Sequence, residues 1–286
     1  MSINIPVAHV EMYRDNVVMR AQQKGSRLLR ACRNDGDIIG RTVYYDRIGA
    51  TAAQKVTTRH ADTPLVDTPH SRRRADMVDY DWADLIDNID QIRTIYDPTN
   101  RYAVNGAWAI GRSIDDVIIT AMGGSVYEGQ SGATTTAFPA GQKIAVGGAG
   151  LTLAKLRTAK ETLDAAEIDP ELPRFIVCKA AQITTLLATT EVSSSDYNTV
   201  KALVQGQIDT FLGFDFIRSE RLGTDGTNTL CYALSSQAIG IGMGKELQVD
   251  IGPRRDKRNA MQVYLCASLA ATRIEDEQIV EIACNE

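Results

Sequence analysis

The chain has 286 residues, of which 44% are hydrophobic and 23% charged, and this ordinary globular composition excludes a wholly disordered protein. Lys and Arg total 31 against 36 Asp and Glu, and the resulting net charge of −5 disfavours wholesale electrostatic binding to nucleic acid. The five cysteines are widely spaced and form no CxxC motif, so we predict buried free thiols rather than a disulfide framework.

The first part of the chain is predicted to be an arm followed by a large hairpin. Residues 7–33 show weak helical periodicity among many charges, which is typical of an arm rather than a core helix. Residues 41–48 are rich in aromatic and β-branched side chains and predict a strand. Residues 49–71 contain few large apolar side chains, so we expect a long exposed excursion, with the returning strand around Asp79.

The middle of the chain is predicted to be mainly helical. Apolar residues at helical spacing over 82–95 predict a helix, with aspartates along another face. Asp97 and Pro98 then form a strong start for a long helix that ends near Met122, before two glycines. The Gly, Ser and Thr-rich residues 123–150 predict loops and short strands.

The second half is predicted to mix helices and strands irregularly. Because no βαβ alternation is present, the predicted fold class is α+β. The predicted helices lie at 151–167, 181–190 and 196–206, and the predicted strands lie at 174–180, in FDFIRSERL and TLCYALSS, and at 261–274 and 278–284 on either side of an acidic turn.

Charge is unevenly distributed along the chain. Residues 1–60 have a net charge of +5, residues 76–97 a net charge of −6, and the last twelve residues contain five acids and no base. These patches are either solvated faces or surfaces that complement one another between copies. The candidate inter-subunit contacts are Arg72, Arg73, Arg74, Asp81, Asp84, Asp87, Asp90, Arg254 and Arg255.

Two of these clusters have alternative interpretations. The arginines of 72–74 and 254–258 could hold phosphate, although ion pairs with a neighbour's acidic surface are the simpler interpretation. The aspartates could chelate a hard cation, but the loop pattern of a calcium site is missing, so a solvated or inter-subunit face is favoured.

No motif predicts an enzyme, a cofactor or a metal site. GIGMGKE at 240–246 has Glu246 where a phosphate loop needs Ser or Thr. GGAGLT at 147–152 lacks the third glycine of a dinucleotide-binding loop and is interpreted as a turn before a helix. Neither GxSxG nor HExxH is present, and the three histidines are not clustered. The N-terminus is not typical of a signal peptide and no apolar run is long enough to span a membrane, so we expect neither secretion nor a membrane partner.

Three stretches resemble the major capsid proteins of tailed phages, in particular podovirus-type sequences with the Hong Kong 97-type fold. They are DTPHSRRRADMVDYDWADLID (67–87), TEVSSSDYNTVKALVQGQIDTFLGFDFIRSERL (190–222) and AATRIEDEQIVEIACNE (270–286). The predicted order of elements also matches this family over nearly the whole chain. The resemblance implies an N-terminal arm (1–36), an extended E-loop hairpin (37–80), a peripheral domain with a long spine helix (81–148 and 248–286) and an axial domain (149–247).

The resemblance further implies a shell of pentamers and hexamers around the phage double-stranded DNA, assembled in the host cytoplasm. In that family the E-loop lies over a neighbouring subunit. We expect a separate scaffolding protein, a portal and possibly a decoration protein as partners. Some relatives cross-link a loop lysine to a neighbour's asparagine; Lys55 is the only lysine of the excursion, and no motif completes such a site.

Two other functions stay open at this point. An encapsulin-like nanocompartment uses the same fold around a protein cargo, and purified shells that contain an enzyme instead of DNA would distinguish it. A soluble enzyme with a site built from distant residues would instead be monomeric and would have a deep polar pocket.

Overall fold

The computed structural model describes residues 22–59, 62–63, 65–87, 99–188 and 210–285, which contain fifteen strands and three α-helices. The strands are β1 Arg33–Asp37, β2 Thr42–Ile48, β3 His70–Asp76, β4 Val78–Ile86, β5 Val126–Glu128, β6 Thr134–Thr136, β7 Lys143–Ile144, β8 Arg174–Cys178, β9 Thr210–Phe211, β10 Phe214–Arg218, β11 Thr224–Asp225, β12 Asn228–Ser235, β13 Ile239–Arg254, β14 Ala260–Arg273 and β15 Ile279–Asn285. The helices are α1 Thr99–Gly123, α2 Leu153–Ala165 and α3 Ala180–Ala188. None of these helices is both long and apolar enough to cross a bilayer.

The helix-backed sheet has the strand order β1–β13–β14–β4, and α1 packs across β14 and β4. Val263 and Leu265 of β14 are fully buried beneath the helix. A Cβ atom at Gly106 of α1 would lie 2.5 Å from the indole ring of Trp82, so only glycine lets the helix approach β4 this closely. Apolar burial between the helix and these two strands therefore positions the long helix.

The seven-stranded sheet contains the largest core. Its order is β7–β15–β12–β8–β10–β9, and β11 pairs with β12. All five residues of β8 are buried, as expected for a central strand covered on both faces. The hydroxyl of Thr152 accepts a hydrogen bond from the backbone N–H of Lys155 and caps α2. Both α2 and α3 contribute buried side chains to the same core.

The hairpin sheet has the order β2–β3–β5–β6. Its root packs on the helix-backed sheet, because Val43 and Ala75 lie in one small cluster with Ala270 of β14. Its far end closes where the backbone N–H of Gly49 donates to the carbonyl of Pro69 at 2.8 Å. The chain between these two residues is the excursion, and its described part forms no helix or strand.

Most predicted elements are confirmed. The strand at 41–48, the long helix ending near Met122, the helices at 151–167 and 181–190, and the strands of the second half all lie within a few residues of their predicted positions. The α+β fold class is confirmed as well. The predicted helix at 196–206 and the helix start at Asp97 lie outside the described residues.

Three predictions are wrong within the described residues. Residues 82–86 form β4 rather than a helix, because pairing with β14 overrides the helical spacing of the apolar side chains. Residues 22–33 contain a short 3₁₀ turn and the start of β1 rather than a helix. The returning strand of the hairpin is β3, which lies before Asp79. The strand from Ile239 to Arg254 was not predicted at all.

The predicted domain ranges stay predictions, but the strand pairing crosses two of their limits. The last strand, β15, was placed with the peripheral domain, yet it lies between β7 and β12 in the seven-stranded sheet. In the other direction, β13 begins at Ile239, within the range given to the axial domain, and runs through the helix-backed sheet. The chain therefore passes between the sheets more often than the linear ranges imply.

Candidate inter-subunit surfaces

The excursion exposes apolar side chains that have no cover within the described chain. All its described residues are exposed except Thr68, which is half-buried. Val56 is 77% exposed and Leu65 is 97% exposed. Single exposed apolar residues are ordinary, but several on one irregular segment mark a surface that another molecule can bury.

The three arginines of 72–74 lie on β3 and have different environments. Arg72 pairs with Asp46 on the neighbouring strand, where its Nη2 lies 2.9 Å from Oδ2. Arg74 pairs with Asp76, with Nη2 2.7 Å from Oδ1. Hydrogen bonds from these arginines hold the pKa of Asp46 and of Asp76 below the ordinary carboxyl value. Both arginines keep exposed surface and stay candidates for contact with a neighbour.

Arg73 differs from its neighbours because it is buried inside the chain. Its Nη2 donates to Oδ2 of Asp276 at 2.8 Å and lies 3.3 Å from the carboxylate of Glu128. Its side chain is only 2% exposed. Its prediction as a contact residue is therefore corrected, since a side chain this buried has no surface left for a neighbouring subunit.

Asp276 joins the root of the hairpin to the end of α1. It also accepts a hydrogen bond from Nε of Arg273, whose side chain is fully buried. Nη1 of Arg273 donates to the carbonyls of Met122 and Gly124, at 3.1 and 2.9 Å. We call Arg73, Asp276 and Arg273 the root bracket. Sequence reasoning missed it because Arg73 lies 203 residues before Asp276 in the sequence.

The predicted aspartate ladder does not form one face. Asp81 and Asp84 lie on β4, where an odd separation directs side chains to opposite faces. Asp81 accepts a hydrogen bond from the hydroxyl of Tyr264 at 2.8 Å, on the exposed face. Asp84 is half-buried and Asp87 is exposed just after the strand, whereas Asp90 lies outside the described residues. The ladder was predicted from helical spacing, but residues 81–86 form a strand.

The tip of the β13–β14 hairpin carries the second basic cluster. Arg254 forms an ion pair with Asp256, and hydrogen bonding from this arginine lowers the pKa of the carboxyl group. Arg255 is exposed in the turn. A cleft of about 480 Å³ next to the tip is lined by Leu85, Asp87, Asp256, Lys257, Arg258 and Ala260. Its charges have both signs, which suits contact with another copy of the chain.

Asp115 of α1 anchors residues 23–28, which lie within the range predicted for the N-terminal arm. Its carboxylate is fully buried and accepts hydrogen bonds from the side chains of Gln23 and Ser26 and from the backbone N–H groups of residues 27 and 28. A Cβ atom at Gly111 would lie 2.4 Å from Cα of Gly25, so the two backbones touch here. In the sequence, the signal for this site is the carboxylate of Asp115 among the apolar residues of the predicted long helix.

The cysteines are buried free thiols, as predicted. Burial raises the pKa of the Cys32 and Cys178 thiols to about 12, which keeps them protonated and unreactive. They pack as small hydrophobic side chains.

The described residues contain no group of three or more His, Cys, Asp or Glu that could hold a metal ion. The segment GIGMGKE lies within β13, where its backbone is extended and forms no phosphate loop. The segment GGAGLT is a turn before α2, as predicted. Within the described residues, the main polar groupings are therefore ion pairs and anchors rather than a catalytic constellation.

A family model for phage capsid protein matches residues 5–286 of the chain. The chain belongs to the phage capsid protein family. No curated protein sequence matches it significantly. The family assignment confirms the resemblance drawn from the three sequence stretches.

Solved capsid structures share the fold of this capsid protein. The capsid of Ralstonia phage GP4 matches with a TM-score of 0.75 at 11% identity, over 100% of this chain and 98% of that one. The capsid structure of cyanophage P-SCSP1u matches with a TM-score of 0.73 at 13% identity, over 98% and 94%. A chain of Mycobacterium phage Che8 gives 0.72 at 14% identity, over 96% and 97%. The predicted capsid fold is therefore confirmed, and the role of this family member is structural.

Proposed function

We propose that this capsid protein assembles, as pentamers and hexamers, into the icosahedral head that encloses the phage double-stranded DNA. It acts as a building block and not as an enzyme. Assembly takes place in the host cytoplasm with a separate scaffolding protein, and the finished shell also contains a portal and, in some forms, a decoration protein. The net charge of −5 suits an inner wall that does not bind packaged DNA tightly.

The observation that carries this proposal is the excursion of residues 50–68. The three sheets close their cores without it, and its described residues are almost all exposed. Two arms of about ten residues each can reach roughly 30 Å from the hairpin. A segment this long and this poorly buried contributes to stability only where another copy covers it.

The test compares the wild-type chain with a shortened variant in which Asn-Gly replaces residues 50–68. The hydrogen bond between Gly49 and Pro69 already closes the hairpin, so a two-residue turn fits there. We expect wild-type protein to form closed shells by negative-stain microscopy, with scaffold if needed, and the shortened variant to form none. Both isolated subunits should have the same melting transition, because the excursion adds little to any core.

A matched control replaces residues 50–68 with Gly and Ser at the original length. This control keeps the reach of the excursion but removes its side chains, so it should also fail to close shells. Wild-type protein that stays monomeric under all conditions would contradict the proposal. Shells that contain a protein cargo and no DNA would replace it with the nanocompartment function.

A further inference from the structure

The root bracket and the side chains paired with it carry more positive than negative charge. Glu128 extends the bracket, because its carboxylate lies 3.3 Å from Nη2 of Arg73 and 3.7 Å from Nη2 of Arg47. Three arginines therefore share the two carboxylates of Glu128 and Asp276, which leaves one positive charge in excess. A buried charge without a counterion is costly, so this excess favours the binding of an anion.

The two buried arginines of the bracket also have hydrogen-bond donors that no acceptor satisfies. Nε and Nη1 of Arg73 and Nη2 of Arg273 are buried and form no hydrogen bond with any group in the described part of the chain. Arg73 is only 2% exposed, and Arg273 is fully buried. A charged donor left unpaired in the interior is more costly than a neutral one. Because all three atoms are donors, the ligand that fits them is an acceptor.

The carboxylate of Asp276 brings the two guanidinium groups together. Its Oδ2 accepts a hydrogen bond from Nη2 of Arg73 at 2.8 Å, and its Oδ1 accepts one from Nε of Arg273. The centre of the Phe138 ring lies 4.8 Å from Cζ of Arg273, so an apolar ring covers this guanidinium group. Electrostatic attraction is stronger in such an apolar setting than in water. Two adjacent buried guanidinium groups therefore match a small anion in both charge and hydrogen bonding.

We infer that the root bracket binds one halide ion, chloride in the cell, between the guanidinium groups of Arg73 and Arg273. An ion that enters a buried site must lose its water, and a doubly charged sulfate or phosphate would lose far more hydration than a monovalent ion. A water molecule could accept from the same donors, but it would leave the excess charge uncompensated. The site belongs to the single subunit, so the inference does not depend on the proposed shell function.

Bromide locates the site directly, because it substitutes for chloride and can be identified in a crystal by its anomalous scattering. Crystals of the wild-type protein grown in sodium bromide should show an anomalous peak within hydrogen-bonding distance of Arg73 and Arg273. Density at that position without an anomalous signal would identify a water molecule and overturn the inference. Bromide peaks found only on the protein surface would overturn it as well.

The chloride dependence of stability tests the site in solution. The ionic strength is held constant by exchanging chloride for methanesulfonate, which is much larger than a halide ion. A ligand that binds only the folded state raises stability as its concentration rises. A tenfold increase in chloride above its Kd should therefore raise the melting temperature of the wild-type subunit by about 3–5 °C. A melting temperature that does not change with chloride would contradict the inference.

Two arginine variants separate this site from general effects of salt. Arg73→Met removes two of the three unpaired donors and the excess charge, so the chloride dependence should be lost. The matched control is Arg72→Met on the same strand, which removes an exposed guanidinium group paired with Asp46 and should keep the wild-type dependence. Equal chloride dependence in the two variants would place the ion elsewhere and overturn the inference. If Arg73→Met does not fold, the bromide experiment decides, because it needs only the wild-type chain.

Discussion

The seven-stranded sheet and the hairpin sheet are both mainly β structure, yet they are held together differently. The seven-stranded sheet encloses a continuous apolar core in which β8 and most of β12 are fully buried. The hairpin sheet buries only a small cluster at its root. The described residues of the excursion, between Gly49 and Pro69, belong to no core. Ion pairs and the root bracket replace apolar packing there.

Under the proposed shell function, this difference separates folding from assembly within one chain. The seven-stranded sheet and the helix-backed sheet contain the two larger apolar cores of the described chain. The hairpin is fixed at its base by Asp276 and by the small apolar cluster at its root, and the excursion beyond it presents its side chains to solvent. A capsid subunit must stay soluble before assembly and bind firmly afterwards, and keeping the two tasks in different regions satisfies both requirements.

The contrast between the two sheets predicts that the largest difference in the free energy of unfolding separates two leucine variants. Leu234 of β12 is fully buried, and Leu234→Ala should lower the free energy of unfolding of the isolated subunit by about 2–5 kcal/mol. Leu65 of the excursion is almost fully exposed, and Leu65→Ala should change the free energy of unfolding by less than about 0.5 kcal/mol. Urea denaturation measures both values, and similar losses would remove the distinction between the regions.

A second pair of variants compares a buried and an exposed carboxylate that form ion pairs with arginines of the hairpin. Asp276→Asn leaves two buried arginines with a neutral partner, so we expect a loss of about 1–3 kcal/mol. Asp46→Asn removes an exposed ion pair and should cost less than the bracket substitution, because solvent screens exposed pairs. Thermal unfolding of the isolated subunits measures both losses, and a larger loss for the Asp46 variant would show that the bracket does not hold the root.

The smallest predicted effect is the stability that the ionised Asp76 adds and that is lost at acidic pH. The hydrogen bond from Arg74, followed by that from Thr42, holds the pKa of Asp76 below its ordinary value of 3.8. A lowered carboxyl pKa adds stability above the ordinary value, and this stability is lost as the pH falls through the folded value. Wild type should therefore be slightly more stable than Asp76→Asn at neutral pH. This difference in stability should shrink as the pH falls below the ordinary carboxyl pKa. Because the side chain is half exposed, the difference is at most about 1 kcal/mol. A gap that widens in acid would contradict this sign.

Sequence patterns predicted the regions whose structure depends on local signals. The long helix has an unbroken helical period, and the strands at 41–48 and 174–180 are short β-rich runs. The excursion was recognisable because its composition cannot form a core. In each case the residues nearby determine the structure.

The failures depend on contacts between residues far apart in sequence. The spacing of Trp82, Leu85 and Ile86 fits a helix, and only the partner strand β14 makes it a strand. The long strand β13 contains three glycines near its start, and close contacts explain two of them: a Cβ at Gly240 would lie 2.4 Å from the ring of Tyr45, and one at Gly242 would lie 2.3 Å from Ile38. Such contacts leave no periodic pattern in the sequence.

Hydrogen exchange over residues 50–68, measured in the isolated subunit and in assembled shells, tests the central claim most directly. The account predicts that amides of this segment exchange without protection in the subunit and become protected in shells, whereas the amides of β8 and β12 are protected in both states. Protection of residues 50–68 already in the isolated subunit, or continued free exchange in closed shells, would contradict the account.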